Sequence, residues 1–260
     1  MVFDAHSHLD MLVRSPSELP ALLEEEFRCG LGALVQVSTD PDIHHACSPY
    51  LQGDGCEVYP VCGLPHAFRG RKEEALPKLN EIARSGQIFA IGETGLDYSR
   101  SPSADERESQ RDLFRRQLEL AAALELPVVV HMRDAAEDTL RALEEFPSVS
   151  GMLHCYTGDM TLARTLLERG YYISFSGVVT FANAHSLRDI VPEVPENRLL
   201  VESDAPYLAP VPFRGQKNRP FMVKHTLQVI ASLRGCTFEE AAAMTAENAR
   251  RLFAERPVPD

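Results

Sequence analysis

The stretch Asp4-Ala5-His6-Ser7-His8 sets two imidazoles two residues apart at the end of a short apolar run. In an extended chain residues i and i+2 project to the same face, so His6 and His8 would stand side by side. Two neutral imidazoles at that spacing suit a divalent cation, although alone an H-x-H pair reads equally well as solvated or core histidines. Repetition strengthens the signal. Val128-Val129-Val130 runs into His131, Gly151-Met152-Leu153 into His154, Ala90-Ile91-Gly92 into Glu93, and Leu199-Leu200-Val201-Glu202-Ser203 into Asp204. A mixed set of imidazoles and carboxylates suits Zn²⁺, Mn²⁺, Co²⁺, Ni²⁺ or Fe²⁺ readily and Mg²⁺ less naturally. Six ligands exceed the needs of one catalytic ion that must keep positions open for water and substrate. Two divalent ions bridged by one carboxylate, Glu93, are the more economical assignment.

Such a set works only if the runs end on a common face. Eight short apolar runs bounded by turn or polar residues are candidate strands: Met1 to His6, Ala33 to Ser38, Val58 to Cys62, Ile88 to Gly92, Val128 to His131, Gly151 to His154, Tyr171 to Ser174 and Leu199 to Glu202. Helical periodicity lies between them. Ser17 to Cys29 is amphipathic and stopped by Gly30. Gln110 to Glu125 carries a stripe at Leu113, Phe114, Gln117/Leu118, Ala121 and Ala122. Thr161 to Arg169 ends at Gly170, and Thr237-Phe238-Glu239-Glu240 is a capping box opening a helix through Ala249. Continuous apolar strands alternating with one-striped helices imply a parallel sheet covered by helices. Eight such units predict an α/β fold with one domain over residues 1–260, a (β/α)8 barrel of the TIM type, in which catalytic residues gather where the strands end. A doubly wound open sheet shares the local pattern, but no G-x-G-x-x-G or Walker-type loop follows the first strand.

The chain of 260 residues is 44% hydrophobic and 25% charged, with a net charge of −12, as expected of a soluble globular protein. Met1-Val2-Phe3-Asp4 carries no basic or long apolar stretch, and no apolar run approaches the ~18 residues of a membrane span. The expectation is a cytosolic protein with no membrane association. Cys29, Cys47, Cys56, Cys62, Cys155 and Cys236 form no C-x-x-C pair and read as reduced thiols. Proline concentrates late, from Pro206 to Pro220 and from Pro257 to Pro259. The acidic balance argues against wrapping nucleic acid with a basic surface, without excluding a phosphate substrate held through metal ions.

Five blocks, in order and spanning Val2 to about Phe253, resemble the TatD-type metal-dependent deoxyribonucleases, a branch of the amidohydrolase-like barrel enzymes. They are Val2-Phe3-Asp4-Ala5-His6-Ser7-His8-Leu9-Asp10, Ile91-Gly92-Glu93-Thr94-Gly95-Leu96-Asp97-Tyr98, Pro127 through Ala135, Leu153-His154-Cys155-Tyr156-Thr157-Gly158 and Leu200 through Leu208. The resemblance implies a TIM-like barrel and phosphodiester hydrolysis by two divalent ions (Mg, Mn or Zn), typically trimming DNA 3′ to 5′. Carried over by position, His6, His8, Glu93 and Asp204 would serve one ion, and Glu93, His131 and His154 the other. Asp204 would double as the base for the attacking water. A 3′–5′ exodeoxyribonuclease acting as a monomer on single-stranded DNA or 3′ ends is therefore expected. The alternative keeps the metals but cleaves amides, lactones or other esters of small molecules. A carboxylated lysine often bridges the metals in those relatives; Glu93 in that position favours the nuclease branch.

The resemblance departs at one point. Relatives usually read Gly-Val/Ile-His-Pro after the third strand, where this chain has Cys62-Gly63-Leu64-Pro65-His66. Because Pro constrains itself and its predecessor, His66 stands open between substrate contact and loop histidine. Arg133 could pair with a substrate phosphate or form a salt bridge to a helix. Phe213 to Pro220 resembles the family's R-G-x-x-N-x-P segment and brings Arg214 and Asn218 as substrate contacts, with Asn218 alternatively holding its own loop's backbone. Asp97 and Glu202 are candidates to orient ligand histidines. His44, His45, His185 and His225 read as surface or packing residues, and Cys155 as packed against a helix.

Overall fold

The structure is a computed structural model describing residues 1–51, 57–68 and 70–254. Cys56 and the stretch Pro257 to Pro259 lie outside the described residues. Eight strands follow one another as β1 (Val2–Ser7), β2 (Leu31–Ser38), β3 (Glu57–Cys62), β4 (Ile91–Asp97), β5 (Val128–Arg133), β6 (Gly151–Leu153), β7 (Tyr172–Phe175) and β8 (Leu199–Val201). Each pairs in parallel with its sequence neighbour. A parallel bridge between Ser7 and Ala205 closes the sheet, with the His8 amide donating to the Ala205 carbonyl at 2.8 Å and the Asp204 amide to the His6 carbonyl at 3.0 Å. Helices α1 (Leu19–Arg28), α2 (Pro41–Cys47), α3 (Lys72–Arg84), α4 (Ala104–Ala123), α5 (Ala136–Glu145), α6 (Met160–Glu168) and α7 (His185–Ile190) connect successive strands. Then α8 (Val223–Arg234) and α9 (Phe238–Phe253) follow the last. This is the (β/α)8 barrel that the sequence predicts.

Strand residues alternate between two apolar clusters. Val128 and Val130 face outward to the helices, whereas Val129 joins Phe3, Val35, Val61, Met152 and Leu200 inside the barrel. Burial on both faces is why these strands read as unbroken apolar runs. Helix α9 covers the end where strands begin: Ala246, Ala249, Leu252 and Phe253 join the interior cluster. Asn248 donates to the Glu196 and Leu199 carbonyls, and Arg250 pairs with Glu57. With that end sealed, the opposite end is left for chemistry.

Two boundaries differ most from the sequence expectation. Strand β4 starts at Ile91 and runs on through Glu93 to Asp97, so the apolar stretch at Ile88 lies mostly before it. From Glu93 on, every residue but Leu96 is polar or glycine, because this half feeds the site. Helix α4 starts at Ala104, six residues before Gln110. Ser103 and Glu106 form a capping box there, which supports exposed, charged first turns that no apolar stripe could reveal. The boxes at Ser103 and Thr237 and the left-handed Gly30 and Gly170 after α1 and α6 are local signals the fold uses as written.

Candidate metal centre

The six expected ligands meet at the strand ends. His6 Nε2 and His8 Nε2 lie 3.1 Å apart. Glu93 Oε2 stands 3.8 and 3.6 Å from them, and Asp204 Oδ1 3.7 and 3.8 Å. On the other side of the same carboxylate, Glu93 Oε1 lies 3.1 Å from His131 Nδ1 and 3.2 Å from His154 Nε2, and those two nitrogens are 3.1 Å apart. Neighbouring ligands on an ion with bonds of ~2.0–2.2 Å stand roughly 2.8–3.6 Å apart in octahedral or tetrahedral geometry. Both donor sets approach that spacing, so the residues fit a divalent cation, and the two oxygens of Glu93 are divided between the sets.

The far side of the imidazoles supports the same reading. His8 Nδ1 meets the Val37 carbonyl at 3.0 Å, His131 Nε2 meets Asp97 Oδ2 at 3.3 Å, and His154 Nδ1 meets Glu202 Oε1 at 3.4 Å. An N–H donated to each of these acceptors leaves the opposite nitrogen unprotonated and facing the cluster. Glu202 is fixed in turn by the Cys155 amide at 2.6 Å and the Ser174 hydroxyl at 2.5 Å, and Asp97 by the Ser99 amide and hydroxyl at 2.8 and 2.6 Å.

Local backbone chemistry aims these groups. The β4–β5 pairing steps from Gly92–Val129 to Thr94–Val130, leaving Glu93 as an extra residue. At Gly95, φ is +132° and an added Cβ would stand 2.0 Å from the His131 carbonyl oxygen, so only glycine lets β4 and β5 approach here. Asp204 and Cys155 occupy the left-handed region at φ 55° and 46°, costly conformations of the kind that cluster at functional sites.

The field is negative and poorly solvated. Burial pushes the Asp204 carboxyl up to about 7, against the nearby His154 and His8. Burial would also raise Glu93, but His154 and His131 outweigh it and hold Glu93 well below its usual range. Burial alone would lower His154 and His131; the carboxylates Glu93 and Glu202 carry the first well above its ordinary value, and Asp97 and Glu93 raise the second. A divalent cation would be stabilised by the same carboxylates and would displace those protons. His6 goes the other way, lowered by burial and then by His154 and His8.

The remaining candidates separate. His66 stacks on His131 with ring centroids 4.7 Å apart and places Nε2 3.7 Å from Asp97 Oδ2. Arg133 is exposed, makes no ion pair among the described residues, and with His66 lines a cleft beside the cluster. Arg214 lies over the Phe181 ring at 3.8 Å and donates to the Ala209 carbonyl. Asn218 is corrected to a loop anchor: it is fully buried, with its amide nitrogen donated to the Ser203 and Tyr207 carbonyls at 2.7 and 2.6 Å and its oxygen accepting from the Arg219 amide. Cys155 lies 3.2 Å from the Ser176 hydroxyl, just past the end of β7. His185 and His225 contact Arg188 and Phe213.

Three positioning residues escaped the sequence reading. Asp4, fully buried, accepts from the Ser203 amide and hydroxyl at 2.7 and 2.6 Å and so fixes the residue before Asp204. Gln117 of α4 clamps both backbone groups of Leu64 at 2.8 Å and donates to Thr94; Gln110, two turns earlier, clamps both of Asp97 at 2.9 and 3.1 Å. A glutamine inside an apolar stripe was the one available signal.

A barrel whose open end gathers four imidazoles and a buried aspartate around a shared, buried glutamate defines a metal-dependent hydrolase. A family model described as TatD related DNase matches residues 3–254, and the chain belongs to that family. It is 38% identical over 257 residues to "Uncharacterized metal-dependent hydrolase YabD" of Bacillus subtilis (strain 168), covering 97% of this chain and 99% of that one. It is 39% identical over 196 residues to "3'-5' ssDNA/RNA exonuclease TatD" of Erwinia tasmaniensis, covering 73% and 75%. Among solved structures, YJJV, a TatD homolog from Escherichia coli K12, superposes with a TM-score of 0.86 at 27% identity over 98% of both chains. Among the described residues no helix is long and apolar enough to cross a membrane.

Proposed function

We propose that this chain is a 3′–5′ exonuclease acting on single-stranded DNA ends through two divalent ions, with residues 1–260 forming one functional domain. The division of Glu93 between two donor sets carries the reading. His6, His8, Glu93 Oε2 and Asp204 would hold one ion; Glu93 Oε1, His131 and His154 the other. Mg²⁺, Mn²⁺ and Zn²⁺ are the ions to test. Bound there, they would supply polarisation of water and neutralisation of phosphoryl charge. The chain supplies the rest. The Asp204 carboxylate, aimed into the cluster from a left-handed turn, accepts the proton of the attacking water. Arg133, uncommitted at the end of β5, pairs with a phosphate oxygen, and His66, stacked on His131, borders the substrate. Arg214 stands farther out, on the loop that Asn218 holds. One chain provides all six ligands, which supports a monomer. A cytosolic setting fits the five free cysteines among the described residues.

The test is chelator-stripped protein reloaded with Mg²⁺, Mn²⁺ or Zn²⁺ and given single-stranded oligonucleotides labelled at the 3′ or 5′ end. A ladder shortening from the 3′ end is expected. Asp204→Asn, with bound metal verified, should lose at least ~100-fold in kcat; wild-type turnover would remove Asp204 as the base. Turnover of a small amide or lactone with no nucleic-acid cleavage by any metal form would overturn the nuclease reading.

A further inference from the structure

A cleft of about 750 Å³ opens against the cluster, between the chain after β3 and the chain entering α4. His66, Asp97 and Arg133 form the wall it shares with the cluster; Phe68, Lys72 and Arg100 lie along it. Three cations and three carboxylates line it, so what needs an explanation is which of the charges are left unpartnered. Arg100 and Arg133 are exposed and have no hydrogen-bond or ion-pair partner for their guanidinium groups among the described residues, while Lys72 is tied to Ser109. The half-buried Phe68 adds an aromatic side chain. Of the acidic residues of the lining, Asp97 is committed to Ser99 and His131, and Asp105 and Glu106 sit in the first turn of α4, where the Glu106 carboxylate is committed to the Ser103 amide at 2.7 Å. Repulsion from that turn leaves the two unpartnered guanidinium groups, Arg100 and Arg133, as the place for an anion.

Resting on the exonuclease reading, we infer that this cleft is a second nucleotide subsite, holding the strand upstream of the scissile bond. Arg100 takes the next phosphate and Phe68 supports its base. Trimming from a 3′ end releases the terminal nucleotide and leaves the rest of the strand bound, so a site built for it needs a polar channel continuous with the cluster. Two guanidinium groups and an aromatic ring match the chemistry of single-stranded nucleic acid, in which cations track phosphates and rings stack on bases.

The test compares two substrates in the metal-loaded enzyme: the p-nitrophenyl ester of thymidine 5′-monophosphate, which fills only the cleavage position, and a single-stranded octanucleotide. The selectivity in kcat/KM for the octamer over the ester should fall roughly tenfold in Arg100→Ala. The fall should lie in the octamer's KM, and Arg100→Lys should restore part of it. The slope of log KM for the octamer against log salt should flatten by about 0.7 per lost phosphate contact. Phe68→Leu, which keeps apolar volume against the core, should reduce the selectivity without changing that slope. Equal selectivity and salt slope in wild type and Arg100→Ala would overturn the subsite while leaving the exonuclease reading intact. Failure of the wild type to cleave either substrate with any of the metals would overturn both.

Discussion

Each of His8, His131 and His154 engages its outward nitrogen with an oxygen: a backbone carbonyl for the first, a carboxylate for the other two. Which nitrogen of each ring faces the cluster is thereby fixed by the chain itself. Glu202→Ala should lower metal affinity about 10–100-fold, because the His154 ring loses its orienting acceptor; metal content after dialysis against buffered ion would show it, and unchanged occupancy would refute the role. Asp138 shows a different economy. It accepts from the Tyr98 hydroxyl at 2.7 Å and from Arg111 at 2.9 Å, and these hold its carboxyl below the usual range despite burial, the Tyr98 bond contributing most. A carboxyl depressed in the folded state contributes stability above its unfolded pKa of about 3.9, and loses it as pH falls through the lower folded value. Asp138→Asn should therefore cost about 1 kcal/mol in urea melts at pH 7, a difference that shrinks below about pH 4. At this scale the sequence was legible where chemistry follows from residue type, as with the four histidines. It was opaque where the partner decides: the type of Asn218 or Asp4 does not say whether the side chain meets substrate or backbone.

Helix α4 illustrates how an element serves the site without entering it. Gln117 and Gln110, on one face, each grip both backbone groups of a site-bordering residue, Leu64 on the approach to His66 and Asp97 at the end of β4. Gln117→Leu would keep the volume but strand the Leu64 amide and carbonyl in a dry interior, for a loss of about 2–3 kcal/mol. Equilibrium unfolding would measure it, and a change under ~0.5 kcal/mol would mean that water takes over the clamp. Seven of the strands were readable near their true positions because burial on both faces leaves uninterrupted apolar runs. Strand β4 was displaced because residues 93–97 are chosen for the cluster and for close approach to β5, and these needs erase the apolar signal. The start of α4 was missed for the converse reason: its first turns touch solvent and depend on a cap.

The donor sets draw on β1, β4, β5, β6 and β8, so metal binding engages the barrel as a whole. Since ligand binding to the native state alone adds RT ln(1 + [L]/Kd), saturating metal at about 100 Kd should contribute about 2.7 kcal/mol. For a chain of this size that corresponds to a rise in Tm of roughly 5–10 °C. Calorimetry of stripped and reloaded protein would register it; identical melting would mean that the cluster holds no ion tightly. The net charge of −12 fits the exonuclease proposed above: affinity for a polyanion would be concentrated at bound cations and the few arginines beside them, which would favour engagement of a strand end over coverage of a long duplex.

The seam of the barrel passes through the chemistry. The bonds that join first strand to last, His8 to Ala205 and Asp204 to His6, belong to ligands or their neighbours. The first donor set therefore cannot assemble until a chain emerging from its N-terminus has delivered the residues through Asp204 and laid β8 beside β1. A nascent or truncated chain lacking that last strand has His6 and His8 but no Asp204 opposite them. The complete six-residue cluster of this metal-dependent hydrolase thus exists only once the seam has closed.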